Sequence, residues 1–557
     1  MRRIPYFAAL LAFGAASALA QGDDPPARVA RLNYTDGPVS FRPDSVDEWA
    51  AAAQNYPLTT GDHLWTDPSA RAEMHIGSTA VGMAPGTALA ILNLDDRVAQ
   101  LSVTAGSVNI HIRYLAPDET FEVDTPNIAI ALLRPGDYRI DSDDANATTA
   151  VTVWNGQAEA NGAGEGFPIQ AGETARIAGL DNPSHDTVAA YPPNEFDEWR
   201  QARDRREDAA QVSAHYVPRE MVGYEDLDGY GRWVNVPPYG WVWQPNAVPA
   251  GWGPYRYGHW AWVDPWGWTW IDDAPWGFAP FHYGRWAFAG GVWVWVPGRL
   301  IPAARPVYAP ALVAFVGVGG VGVQAWFPLG PGEVYVPAYH VSPSYVERIN
   351  IVHVASVEVI HAGVANVHYV NMGVRGAVVA VPREAFVGAR PVARIAVAVP
   401  EREVVNARVL GATATVAPQR ESVLAGAMRS GPPAGIAGRT VVVRRTPPPA
   451  AVPFAARQQA LEANHGRPLE PAQMNSLRTA APARNPMVRQ AGAPSGPSRP
   501  NAVRDDRPPS AVHPGQPAST VESRPAENRG ERPADAPRKE QNTRKKAPPK
   551  RKDDTRG

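Results

Sequence analysis

The 557-residue chain contains no cysteine. That excludes disulfides, thiolate metal sites, thiol nucleophiles and lipidated cysteines. Lysine is nearly as scarce: all five stand between positions 539 and 552. Beyond residue 20 no apolar run reaches the roughly 18 residues that a membrane-spanning helix needs, so no transmembrane segment is expected. Gly-x-Ser-x-Gly, His-Glu-x-x-His and phosphate-cradling glycine loops are also missing. The expectation is therefore a protein that is not an enzyme and carries no cofactor.

What is present begins with a leader. Arg2 and Arg3 precede an apolar stretch over residues 6–17, and Ala18-Leu19-Ala20 before Gln21 is a small-x-small cleavage site. This pattern predicts a secretory signal peptide over residues 1–20, cleaved near Ala20. The predicted address is the bacterial periplasm, with release outside the cell as the alternative. Net charge is only −2, but residues 22–230 hold 34 acidic residues against 14 arginines, and residues 231–557 hold 37 basic against 21 acidic. Lys545, Lys546, Lys550, Arg551 and Lys552 close the chain with a basic cluster. Such a cluster suits a salt-sensitive contact with an anionic surface, or is a solvated tail. Without interleaved aromatics it gives no ground for nucleic-acid binding.

Composition divides the chain. Residues 28–180 show short alternating apolar runs, such as Arg71–Ile76, Ala99–Val103, Ser107–Ile112, Thr120–Val123, Gly136–Ile140 and Ala150–Trp154, separated by Gly, Asp and Asn. Period two with turn signals predicts an all-β module, solenoid or sandwich. Residues 194–211 predict a charged helix in which Phe196 and Trp199 recur at helical spacing, acting as a connector. Residues 224–395 predict a second β module. Ser342 or Ser344 is placed to cap a helical turn ending near Asn350. From 396 to 557 the Pro-, Ala- and Arg-rich composition predicts a largely disordered tail, with one short helix near Phe454 to Asn464.

The second module repeats itself. Tyr230-Gly231-Arg232-Trp233, Tyr257-Gly258-His259-Trp260 and Tyr283-Gly284-Arg285-Trp286 are spaced 27 and 26 residues apart. Each precedes a Trp-x-Trp pair: Trp241 and Trp243, Trp268 and Trp270, Trp293 and Trp295. A fixed period predicts repeated supersecondary units, here β-hairpins whose paired tryptophans share one face.

Two resemblances follow. Gly61-Asp62-x-Leu64-x-Thr66, Ser69 to Glu73, Thr125-Pro126, Leu133 to Ile140, Trp154 to Ala158 and Gln170 to Thr174 resemble a FecR-type domain, with Arg134-Pro135-Gly136 where that family has Arg-Gly-Thr. FecR passes an outer-membrane receptor signal to a sigma factor across the membrane. The resemblance implies an all-β fold and a role in envelope signalling or partner binding. It does not imply direct sigma-factor control, since no transmembrane helix is read here. Ala279 to Trp286 and Trp326 to Pro337 are similar to a tryptophan-rich bacterial family with YGRW and WGWVW repeats, from which no activity carries over.

Thirteen of the eighteen tryptophans lie between 233 and 295. Each aromatic side chain can bury about 150–250 Å², so core packing explains most of them. Trp262, Trp266 and Trp276 fall outside the Trp-x-Trp pairs. With Asp264 and His259 they form the candidate binding surface, rings for stacking and polar groups for hydrogen bonds. Asp272 and Asp273 are adjacent, so on a strand they face apart and make no acid/base pair. His353, His361 and His368 lack a metal-site spacing. Asp141, Asp143, Asp144 and Asn146 lack the glycine and terminal glutamate of a calcium loop and predict a polar turn, so no metal is expected. The sequence thus points to an exported interaction or signalling scaffold with an envelope protein as partner. The alternative is a module binding cell-wall glycan through exposed tryptophans.

Overall fold

Alternation in the first module does produce strands, and two sheets share the longest of them. A computed structural model describes residues 24–492 except 163–165, 210–211, 302–304, 319–321, 355–357, 359, 361–368 and 481–486. The leader, His361, His368 and the lysine cluster lie outside the described residues. The runs Ala99–Val103 and Ser107–Ile112 are one strand, Val98–Ile112, bent rather than broken. The bend is at Gly106, where φ is +84° and a Cβ would lie 2.5 Å from the Thr87 Cα. Before the bend the strand pairs with Ala88–Leu94 and, in parallel, with Thr120–Asp124. After it the strand pairs with Thr79–Met83 and Gly136–Asp143. Val103, Leu101, Val108 and Ile110 therefore reach a core common to both sheets. The turn after Asp143 is polar as expected, its carboxylate accepting from the backbone N–H of Ala145 and Asn146.

The repeat forms three hairpins: Gly231–Val236 with Gly240–Pro245, Gly258–Val263 with Gly267–Asp272, and Arg285–Ala289 with Val292–Val296. In each, the tryptophan of Tyr-Gly-x-Trp stands opposite the second tryptophan of Trp-x-Trp: Trp233 and Trp243, Trp260 and Trp270, Trp286 and Trp295. The motif glycine has a steric cause. A Cβ at Gly231, Gly258 or Gly284 would come within 2.2, 2.7 and 2.2 Å of the indole of Trp243, Trp270 and Trp295 respectively. The outer hairpins join through Trp243 opposite Trp295, while the middle one is a separate two-stranded sheet. Trp326 and Phe315, from the neighbouring sheet, pack on Trp260 at 5.2 and 5.3 Å.

Two expectations need correction. Helix Glu195–Asp208, capped by Asn194, does not merely connect: Asp197, Arg200 and Asp204 are buried against the first module. The charged face turns inward because the strands beneath present Glu73, His75 and Asn109. The stretch from 396 is built into the body as far as the described residues extend, to 492. Arg408–Gly411 extends the sheet of Val313–Gly317, and Met428–Arg429 pairs with Trp49–Ala51. Helix Phe454–Ala463, close to its expected place, buries Phe454 and Leu461. Average composition hides these few anchors. Ser342 caps helix Pro343–Asn350, accepting from the Tyr345 N–H.

Candidate functional site

The expected binding surface is mostly buried. Trp262, Trp266 and Trp276 are only 2%, 3% and 4% exposed. Trp262 packs edge-on against Trp268, Trp266 against Tyr308, and Trp276 between Trp243 and Phe281. They lie outside the repeat pairs, yet rings from their own hairpin and from farther along the chain cover them. Asp264 is already occupied: Arg457 reaches both carboxylate oxygens at 2.8 Å and Trp262 Nε1 donates to it at 3.0 Å. His259 is enclosed on its strand, and burial brings its pKa down to about 4. Trp262, Asp264 and Trp266 do converge on one cavity of about 230 Å³, shared with Tyr56 and Asp62, whereas His259 and Trp276 do not line it. Burial pushes the Asp62 carboxyl up to about 8, so it is largely neutral at pH 7. The cation beside Asp264 comes from the chain's own helix Phe454–Ala463, which carries Arg457.

The exposed aromatics are elsewhere. Trp241 is 48% exposed. Tyr216 lies 5.2 Å from it and stacks on Trp233 at 4.3 Å. Trp233 donates from Nε1 to Ser213 Oγ at 2.9 Å and leans on Trp295, so the ledge rests on the core. Asn235 stands opposite Trp241 on the same face, and Tyr230 and Val212 are exposed nearby in sequence. The repeat assigned Trp241 inward. Its counterpart Trp268 is indeed covered, by Phe386 at 4.4 Å and by the Val416 carbonyl that its Nε1 bonds at 2.9 Å. The first hairpin lacks such a cover at Trp241. No sequence cue separates the two, because Trp241 follows Gly240 at its hairpin tip just as Trp268 follows Gly267.

A third feature joins the modules. Under helix Glu195–Asp208, Glu73 (0% exposed) accepts from Arg200, from Arg203 and, at 2.6 Å, from Asn33. His75 bridges Glu73 at 2.9 Å and Glu225 at 2.6 Å. Burial works against ionising both partners. For His75 the charges of Glu207 and Glu225 outweigh it and raise the pKa. For Glu225, His75 and Arg31 outweigh it and bring the pKa down to about 2. Glu73, His75 and Glu207 stand close enough to ligate a metal. Their oxygens, however, are committed to guanidinium groups that would repel a cation, so the cluster fits a structural lock better than a metal centre. Arg31 extends the lock to Asp226, and its Nη2 donates to the Pro275 carbonyl at 2.6 Å. Asn55 donates to the carbonyls of Asp272 and Ala274.

Comparison with known proteins adds little chemistry. Residues 224–333 match a family of unknown function (DUF6600). No curated protein sequence matches the chain. Two crystal structures of a candidate anti-sigma factor from Parabacteroides distasonis ATCC 8503 are similar to part of it, each with 12% identity and a TM-score of 0.21. The similarity covers 23% of this chain and 59% of that one, so the chain spans about three-fifths of the length of the structure it matches.

Proposed function

We propose that the chain is an exported, non-enzymatic binding protein of the bacterial envelope, acting in the periplasm as an interaction or signalling scaffold. The observation that supports this is the ledge of Trp241, Tyr216 and Trp233. Tryptophan and tyrosine on a rigid support are the residues that anchor protein interfaces, and this ledge is rigid because Trp233 leans on the buried Trp295. The lock around Glu73 and Arg31 holds both modules as one support. The leader motif supports the address.

A second reading, cell-wall glycan as ligand, has its own support in the Trp241 ring beside the Asn235 amide, which offers stacking plus a hydrogen-bonding group. Purified sacculi separate the two. Under the first reading, wild-type protein stays in solution over sacculi and crosslinks to a single envelope protein, and Trp241→Ala abolishes the crosslink. Retention on sacculi that Trp241→Ala removes supports the glycan reading instead. Binding to either that survives Trp241→Ala removes the ledge from the account.

A further inference from the structure

One small cavity has an unusual wall. It lies between the third hairpin and helix Pro343–Asn350, with a volume of about 60 Å³. Its sides include Arg285, Arg299, Arg305, Arg348, His282 and His353, and among the described residues no carboxylate. At roughly 10–15 Å³ per water-sized sphere this is room for about four to six such spheres, the scale of a small oxyanion.

Arg285 makes the cavity more than a basic patch. It is 1% exposed, and its hydrogen bonds go to neutral oxygens only: the Glu333 and Gly284 carbonyls at 3.1 and 2.8 Å and Asn350 Oδ1 at 3.0 Å. These use three of the five N–H donors of a guanidinium. Tyr255 and Glu333 favour its charge, and Glu333 turns its own carboxylate to the backbone N–H of Gly330 and Val370. Burial lowers the Arg285 pKa to about 10, which leaves it charged at neutral pH. A buried cation without an anion beside it is costly. Arg299 and Arg348 stand at the exposed end, Arg299 anchored to the carbonyls of Ile351 and Val354. Arg305 is already engaged by Glu119 and Asp118.

We propose that this cavity binds a phosphate-class oxyanion, with Arg285 as the buried counter-charge and Arg299 and Arg348 as the gate. Guanidinium forks match the oxygen spacing of such an anion. His282 refines the choice. It is fully buried, and its Nδ1 faces the Ala309 carbonyl at 2.8 Å. That places the ring proton on Nδ1 and leaves Nε2 an acceptor, with no hydrogen bond among the described residues. Hydrogen phosphate has an O–H to give it, and sulfate at neutral pH has none. The anion is either free phosphate or a phosphomonoester at the end of a larger envelope molecule.

The test uses the full chain in calorimetric titration and thermal unfolding at constant ionic strength, with inorganic phosphate, glycerol phosphate and sulfate as probes. Saturable binding of a phosphate probe, a raised Tm, and a loss of about tenfold or more in affinity on Arg299→Gln/Arg348→Gln are expected. Those two positions are exposed, so the double variant folds where Arg285→Gln risks unfolding. Inorganic phosphate binding alone identifies the free ion, and tighter glycerol phosphate identifies a terminal group. No saturable binding by either phosphate probe, or affinity unchanged in the double variant, overturns the site. Equal affinity for sulfate overturns the part given to His282.

Discussion

Replacing Glu73 by glutamine keeps the shape of the side chain and removes its charge. Glu73 and Arg200 are both 0% exposed and in direct contact. Glu73 also holds Arg203, Asn33 and His75, while Arg200 has one other carboxylate, Asp204. The packing is tight: a Cβ on Gly82 would lie 2.3 Å from Arg200 Cδ. Removing one member of a buried pair typically costs about 3–5 kcal/mol, because the other is left charged and dry. Glu73→Gln should therefore cost about that much in urea unfolding followed by circular dichroism. Arg200→Met should cost less, since Arg203 still neutralises Glu73. The double variant should recover on the order of 1 kcal/mol or more of the summed losses, the coupling expected of direct partners. Costs that simply add, or a Glu73→Gln loss of under about 1 kcal/mol, would refute the lock as the joint between helix and sheet.

Other outcomes follow from burial. Trp270→Ala, at 0% exposure, should cost about 3–5 kcal/mol, whereas Trp241→Ala should cost about 1 kcal/mol or less; equal losses in denaturant melts would contradict the assigned exposures. Leu461→Ala should lose about 2–5 kcal/mol, and a neutral result would mean that helix Phe454–Ala463 is not part of the folded body. Burial lowers His259 to about 4 and His282 to about 3 from 6.5. The unfolded chain then binds protons first, so stability is full above pH 6.5 and falls as pH drops toward those values, by about 1.4 kcal/mol per unit for each histidine. His75 has the opposite sign: its raised pKa gives stability that is complete below 6.5 and is lost as pH rises through its folded value. Urea midpoints on either side of pH 6.5 check both, and a stability that rises as pH falls below 6.5 would contradict the lowered values of His259 and His282.

The hairpins were legible because their cause is local. Glycine under an indole and tryptophans at i and i+2 are fixed by strand geometry, and the 26–27-residue period marks each copy. Which ring faces water was not legible, because it depends on what lies on top. Trp268 and Trp241 hold the same place in their repeats, and Phe386 with Val416 covers only the first. The rings that symmetry left unassigned, Trp262, Trp266 and Trp276, went inward for the same reason. Helix Glu195–Asp208 misled through its polarity. Its charged side is normally the solvent side, but the strands 71–76 and 98–112 alternate Glu73, His75 and Asn109 toward it, and a polar sheet face takes a polar cover. The arginine cavity was invisible because Arg285 and Asn350 stand 65 residues apart.

The central claim is that this chain works by holding an envelope partner on the ledge of Trp241, Tyr216 and Trp233. Site-specific photocrosslinking from position 235, opposite Trp241 on the ledge face, in living cells tests it most directly, with position 262 as the buried control. One crosslinked envelope protein from 235, absent in a Trp241→Ala background and absent from 262, is the predicted result. No crosslink from 235, or one that persists without Trp241, contradicts the claim.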